Sequence, residues 1–489
     1  MSVVVMIGQL ILGLALLVFV HELGHFAAAR MFKIRVPKFY LFFNPTISIV
    51  RCKKVNGKLQ FRFFTKNLPD MEQKVDENNN PILDEKGKPQ YKVINPDTLP
   101  DNDWRKYPEN TEYGIGWLPL GGYCQIAGMI DETQSIENMS SEPQNWEYRS
   151  KPAWQRLIVI LGGVIVNLVV GVLLFAMVIG RYEKEYLPNV AITDGIYAFE
   201  AARDFGFQSG DKIVSVNGEV PTRFQDAVSP KLFFGSIVEV ERDGKKMDIV
   251  IGEDAYDILK GARGRFIGCV NYPAIIDSVT KDTPADKAGL QKGDRILFIN
   301  DSLLVTSSGF FSETVGKHSN QEISIALLRQ TDTSRVVLTV GAKGAVGTVF
   351  KHHYQLQAYS FGETFSYGWK DAMNSIWLNI KGLGKIVSGE ENARESLSGP
   401  IGIAQIYGGV WEWSKFWYIT GLLSLILAFM NVLPIPGLDG GHAIFNLVEL
   451  ITGKKVSDKV LQYAQTVGMI LLLLLMIFVI GNDILKLFM

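Results

Sequence analysis

Two short motifs carry the residue types that hold a metal ion and move a proton. His21, Glu22 and His25 form HELGH at the end of an apolar stretch, and Asp439 lies in NVLPIPGLDGGH, residues 431–442. On a helix, positions i and i+4 share a face, so both imidazoles reach one ion while Glu22 stands beside it to accept a proton from bound water. Two neutral histidines and one carboxylate leave a fourth tetrahedral position for water, the arrangement of a catalytic zinc rather than a closed structural one. His442 competes with Asp439 as third ligand, and a lone aspartate at this place also reads as a helix cap. The bland reading of HELGH is a solvated helix end. Against it, ionisable groups contiguous with an apolar helix cost on the order of 2–3 kcal/mol each on insertion scales, and a bound divalent cation compensates that cost.

The elements that must position these groups alternate between lipid and water. Val3–Val20 contains Gln9 and no charge, and it runs straight into His21 with no basic segment before it and no small-residue cleavage site, so it is expected to be retained as a membrane span. Leu157–Gly180 has Asn167 as its one strongly polar member; Phe416–Pro436 is apolar apart from Thr420, Ser424 and Asn431; Leu461–Gly481 reaches spanning length. Arg30, Lys33, Arg35 and Lys38 follow the first span, Arg149, Lys151 and Arg156 precede the second, and Lys454, Lys455 and Lys459 separate the third from the fourth. Positive flanks stay cytoplasmic, which predicts both termini and residues 185–410 outside. The ends of spans one and three then meet at one membrane face, where Pro434 and Pro436 break the helix and Asp439 is presented toward His21 and His25.

The remaining composition bounds the function. A chain of 489 residues suggests roughly three units. Forty-nine basic against 50 acidic residues leave a net charge of -1, which argues against nucleic acid as a partner. Hydrophobic residues make up 47% and charged residues 20%, a mixture of membrane and soluble parts. Cys52, Cys124 and Cys269 form no CxxC pair, so neither a disulfide scaffold nor a thiolate zinc site is encoded.

Residues 53–112 are polar and rich in turn residues (Asn78–Pro81, Lys86–Pro89, Asn95–Asn102), and read as an irregular cytoplasmic insertion without chemistry. Residues 114–129, GIGWLPLGGYCQIAGM, look like strand pairs near the bilayer, or a small structural hairpin. Residues 206–219, GFQSGDKIVSVNGE, align with 289–302, GLQKGDRILFINDS, at an offset of 83, which implies two copies of one domain. Their glycine turn, acidic residue, strand and Asn turn resemble the PDZ family, whose members add a peptide to a sheet edge. Thr283-Pro284-Ala285 and Ala288-Gly289-Leu290 strengthen the match of the second copy, and the first copy lacks that element. Residues 361–383 place Phe361, Phe365, Trp369, Ala372, Met373, Ile376, Ile380 and Leu383 at helical spacing, either along a bilayer surface or in an ordinary buried amphipathic helix.

Taken in order, HELGH, PLGGY at 119–123, QRLIVILGGVIVN at 155–167, the repeat pair, SGPIGIA at 398–404 and NVLPIPGLDGG resemble the site-2 protease family of intramembrane metalloproteases over nearly the whole chain outside 53–112. The resemblance implies one Zn²⁺ held by His21, His25 and Asp439, Glu22 as catalytic base, and substrate contacts from Asn431, Asn167, and Gly121 and Gly122 of the membrane-reentrant β element. Gly163-Val164 stands where the family often has Gly-Pro. The resemblance further implies a bacterial inner-membrane enzyme that cuts transmembrane segments, such as those of anti-sigma factors already shortened outside the membrane, or remnant signal peptides.

The expected fold is a polytopic α-helical membrane protein with four core transmembrane helices, a membrane-associated β element and two extracytoplasmic PDZ domains. Along the chain this gives a first span with HExxH (1–32), a cytoplasmic loop holding the insertion and the β element (33–153), a second span (154–181), the two repeat domains (185–265 and 266–350), a membrane-associated linker (355–410), a third span with LDG (413–450) and a fourth (459–489). Two rival functions remain on sequence alone. One is a membrane scaffold with a silent metal motif; the other is a zinc transporter, since intramembrane His and Asp also line ion pathways. A soluble zincin would not need four spans.

Overall fold

The computed structural model describes residues 2–68, 71–73, 82, 89, 91–119, 121–129, 142–252, 255, 266–269, 273–300, 303–304, 307–351 and 354–488. The expected turns at Asn78–Pro81 and most of Lys86–Pro89, and Leu120 of PLGGY, lie outside those residues.

An apolar run free of proline makes helix α1, Ser2–Met31, which carries HELGH in its last turns. A five-stranded sheet follows, built from β1 (Lys38–Leu41), β2 (Phe43–Val55), β3 (Lys58–Lys66), β4 (Glu112–Leu118) and β5 (Tyr123–Gln125) in the order β3-β2-β4-β1-β5. The sheet corrects the reading of 53–112 as irregular. β3 pairs with β2 from Ile47↔Lys66 to Val55↔Lys58 around a tight Asn56-Gly57 turn, and Trp104, farther along the insertion, is fully buried. Helix α2, Ala153–Val178, then packs along α1. Gly24 and Gly162 face one another there: a Cβ on Gly24 would stand 2.3 Å from the Gly162 carbonyl oxygen, so the two backbones approach as closely as small residues permit.

Residues Glu183–Ser360 form a separate compact unit. In its first half, β6 (Ile196–Ala198), α3 (Glu200–Asp204), β7 (Lys212–Val216), β8 (Ser236–Arg242), β9 (Lys245–Ile251) and β10 (Ile267–Cys269) enclose a core of Ala202, Phe207, Val238, Val240 and Phe266. The second half repeats it with β11 (Ile276–Val279), α4 (Pro284–Lys287), β12 (Arg295–Ile299), α5 (Ser308–Lys317), β13 (Glu322–Arg329), β14 (Asp332–Thr339) and β15 (Thr348–Phe350). β6 pairs with β10 as β11 pairs with β15, so the first copy takes in Phe266–Cys269, beyond the expected boundary at 265.

The repeat holds at the level of single bonds. Arg242 forks onto the buried Asp211 at 2.6 and 2.8 Å and donates to the Gly206 carbonyl; Arg329 does the same to Asp294, at 2.7 Å twice, and to Gly289. Asn217 and Asn300 both take a positive φ and accept a hydrogen bond from the neighbouring strand. The first copy, whose sequence lacks the Thr-Pro-Ala element of the second, still builds a short helix there: α3 stands where α4 does, and Ala202 and Ala285, 83 positions apart, are both fully buried.

After this unit come α6 (Phe361–Ser388), α7 (Pro400–Tyr407), α8 (Trp413–Val432), α9 (Asp439–Thr452) and α10 (Asp458–Phe488). Among the described residues four helices are long and apolar enough to cross a membrane, within Val3–Met31, Ala153–Glu183, Trp413–Val432 and Lys459–Lys486. α6 packs its Ala372 and Met373 against Phe175 of α2 and Leu425 of α8, while Phe361, Phe365 and Trp369 stay exposed. The amphipathic helix is thus half buried, between the two alternatives the sequence left open.

The two copies are joined by a polar contact. Tyr197 of β6 donates to Glu313 of α5 at 2.6 Å, and Arg203 of α3 pairs with the same carboxylate at 2.5 Å. Burial alone would raise the Glu313 pKa; the hydrogen bonds from Arg203 and Tyr197 overcome it and hold the carboxyl below its ordinary 4.5. A depressed folded-state pKa contributes stability that is complete above the unfolded value and is lost as pH falls through the folded one. Because Arg203 is partly exposed, the contribution is at most about 1 kcal/mol. Thermal unfolding of the Glu183–Ser360 unit is expected to lose stability below about pH 4.5, and Glu313→Gln should remove part of that loss while lowering the midpoint at neutral pH.

Candidate metal centre

His21 and His25 project from the last turns of α1 toward α2. The ring of His25 is fixed by its Nδ1, 2.9 Å from the Val159 carbonyl oxygen. A carbonyl accepts only, so Nδ1 carries the proton and Nε2 keeps its lone pair. His21 Nδ1 lies 3.1 Å from the side-chain nitrogen of the fully buried Asn167, whose Oδ1 has no partner. Turning that amide by 180° places Oδ1 on a protonated Nδ1 and frees Nε2 of His21 in the same way. Ser424 of α8 holds the Asn167 backbone carbonyl at 2.7 Å, so α1, α2 and α8 are tied together at this point.

The carboxylate arrives from the opposite end of the chain. α8 ends at Val432, Gly437 turns the backbone with φ 95°, and Asp439 opens α9. α9 is held to the start of α2 by the ion pair of Arg156 with Glu449 and by Asn446, which donates to Tyr148 at 2.9 Å. Asp439 Oδ2 then stands 3.3 Å from His21 Nε2 and 3.4 Å from His25 Nε2, while the two Nε2 atoms are 3.2 Å apart.

These three separations test whether a metal fits. Zinc bonds of about 2.0–2.1 Å in tetrahedral geometry place ligand atoms about 3.3–3.4 Å apart. The donors meet that triangle, and Asp439 Oδ2 is buried with no hydrogen-bond partner. Among the described residues His21, His25 and Asp439 form the one such group of potential ligands. His442, the rival ligand, is not part of it.

Glu22 sits one residue from His21 and accepts a backbone hydrogen bond from Cys124 of β5, so an edge strand of the sheet passes beside the three ligand atoms. Asn431 Nδ2 lies 3.4 Å from His21 Nε2 and so borders the same space. Gly121 and Gly122 precede β5, where a Cβ on Gly122 would meet the Tyr40 carbonyl oxygen at 2.6 Å. Asn167, expected to touch substrate, is instead buried against His21.

One residue escaped the sequence reading. Gly163 faces the histidines: a Cβ there would stand 2.5 Å from His25 Nε2 and 2.7 Å from His21 Cε1. The helix is regular through Gly163-Val164, so the absence of proline leaves α2 unbroken at the site. The signal was the glycine of the Gly163-Val164 pair, whose role is visible only once the facing rings are known.

The sequence profile of Peptidase family M50 matches residues 9–66 and 103–475. The chain is 26% identical to the "Regulator of sigma E protease" of Haemophilus influenzae, with 100% of both chains covered, and 26% identical to "Protease RseP" of Yersinia pestis, with 99% of both covered. It is 28% identical, over 97% of both chains, to a Fusobacterium nucleatum protein named "Putative zinc metalloprotease FN1322".

Filling the space at Gly163 displaces the imidazoles. Gly163→Ala is expected to lower zinc retention by about 10-fold or more, read by metal analysis of the purified protein; full zinc content would show that α2 yields without moving the rings.

Proposed function

The chain belongs to peptidase family M50 and is a site-2 type zinc metalloprotease of regulated intramembrane proteolysis; from that membership we propose that His21, His25 and Asp439 hold one Zn²⁺ and that Glu22 is the catalytic base. The observation that carries this reading is the mutual spacing of the three ligand atoms, 3.2–3.4 Å, at the end of a spanning helix. When bound, zinc supplies Lewis acidity, polarising a peptide carbonyl and lowering the pKa of water toward about 7. Glu22 takes the proton from the attacking water and returns it to the leaving amine. Asn167 orients His21 through its Nδ1. Asn431 borders the reacting carbonyl and holds it.

The substrate is a transmembrane segment. A helix closes its amides in internal hydrogen bonds, so it must unwind before water reaches a carbonyl. β5 offers an edge onto which an extended segment pairs beside Glu22, with Gly121 and Gly122 allowing close approach of the backbone. Segments of anti-sigma-factor type and remnant signal peptides are the proposed substrates, by likeness to the sigma-E regulator proteases. The Glu183–Ser360 unit is proposed to be a pair of PDZ domains outside the cytoplasm of a bacterial inner-membrane protein. Its internal repeat supports the first part, and the Lys and Arg clusters flanking the spans support the orientation.

Glu22→Gln keeps the size and loses the base. Cleavage of a membrane-embedded substrate should fall by about 10²–10⁴ with zinc content unchanged; equal rates would exclude Glu22 from the chemistry.

A further inference from the structure

Helix α10 is open along most of its length and closed at one point beside the metal ligands. Across 459–481 Gly468 is the only buried residue, while Val467, Met469, Ile470 and Leu471 around it are each more than half exposed. At Gly468 the backbone of α10 lies on the turn that presents Asp439. A Cβ there would stand 1.7 Å from the Pro436 carbonyl oxygen and 2.7 Å from the Gly437 nitrogen, where real contacts stay beyond 3.0 Å. From the other side, a Cβ on Gly437 would meet the Gly468 carbonyl carbon at 3.2 Å and Leu472 at 3.1 Å. One turn before Gly468, Gln465 is hydrogen-bonded to His442, three residues past Asp439. Gln465, Gly468 and Leu472 fall on one face of a helix. They bracket the carboxylate: Gly468 and Leu472 touch the chain just before it, and Gln465 the chain just after it.

The tethers on the α2 side act farther away. Asn446 and Glu449, held by Tyr148 and Arg156, lie 7 and 10 residues along α9 from Asp439, or about 10 and 15 Å at 1.5 Å per residue. They anchor the body of α9 and leave the turn before it to α10. We propose that Gly468 and Gln465 are positioning residues of the metal centre, and that α10 sets the place at which Asp439 meets the two imidazoles. The proposal rests on the reading of His21, His25 and Asp439 as zinc ligands. Zinc–ligand distances vary by only about 0.2 Å, and a methyl group added at position 468 must part helix and turn by several times that. Asp439 then leaves its place while the i, i+4 histidines of α1 keep theirs. His442, outside the ligand group, is the point at which α10 grips α9.

Chelator competition tests this in the full chain, purified and loaded with zinc. Zinc affinity is measured for the unchanged protein and for Gly468→Ala, Gln465→Leu, Gly481→Ala and His21→Ala. A Cβ at Gly481 meets nothing within 4 Å, so that variant places the same methyl on the same helix without the contact. Gly468→Ala is expected to weaken zinc binding by about 10–100-fold and Gln465→Leu by about 10-fold, with Gly481→Ala unchanged. At saturating cobalt, the visible absorption of Gly468→Ala should shift from that of the unchanged protein toward that of Asp439→Ala, the mark of a displaced third ligand. Unchanged affinity and an unchanged cobalt spectrum would show that α10 yields without moving Asp439, and an equal loss in Gly481→Ala would trace the effect to the helix as a whole; either overturns the proposal. Should Gly468→Ala fail to accumulate, Gln465→Leu, which adds no bulk, decides by the same two measurements. His21→Ala separates this inference from the ligand assignment: it loses zinc whenever the assignment holds, whatever position 468 does, and full retention would remove the assignment and this proposal together.

Discussion

The architecture depends on keeping three polar side chains together at the end of a long apolar helix. Each of His21, His25 and Asp439 is expensive to bury alone. Their donor atoms stand 3.2–3.4 Å apart, a spacing at which a divalent ion replaces the lost hydration of all three at once. Much of the surrounding structure holds that triangle. Gly24 against Gly162 brings α1 and α2 to backbone contact, Gly163 clears room for the rings, Val159 and Asn167 fix which nitrogen of each imidazole is free, and Arg156 with Glu449 secures the helix that begins at Asp439. These contacts cross from one helix to another, so the site exists only when the bundle is assembled.

The sheet beside the centre has a different logic. Its buried face is polar and its open face aromatic, the reverse of a soluble sheet. Pairing β3 onto β2 moves one edge away from the site, and the other edge, β5, lies next to Glu22.

In the unit at 183–360, duplication kept the bonds that define the fold and varied the rest. The Arg242–Asp211 and Arg329–Asp294 forks tie a glycine turn to a strand end in the same way in both copies. The contact between copies, Tyr197 and Arg203 with Glu313, has no counterpart of this kind; it joins the halves rather than building either.

The sequence by itself determined the apolar spans, the three polar residues that converge and the duplication, because those are written in local terms: uninterrupted apolar runs, an i, i+4 pair of histidines, a proline-glycine break before an aspartate, and a motif recurring at a fixed offset. The shared face of His21 and His25 was legible for the same reason. What only the tertiary structure decided depended on partners distant in the chain. Residues 53–112 look polar because the charged side chains of a strand alternate with its aromatics, and which set is covered is settled by Trp104, far along the chain from the strand it seals. The short helix of the first repeat lacks its proline but keeps a buried alanine, a signal with meaning only against the packed core. Gly163 and Asn167 read as parts of an apolar helix until the two histidines face them, since close approach and ring orientation are properties of a pair of helices and not of either one alone.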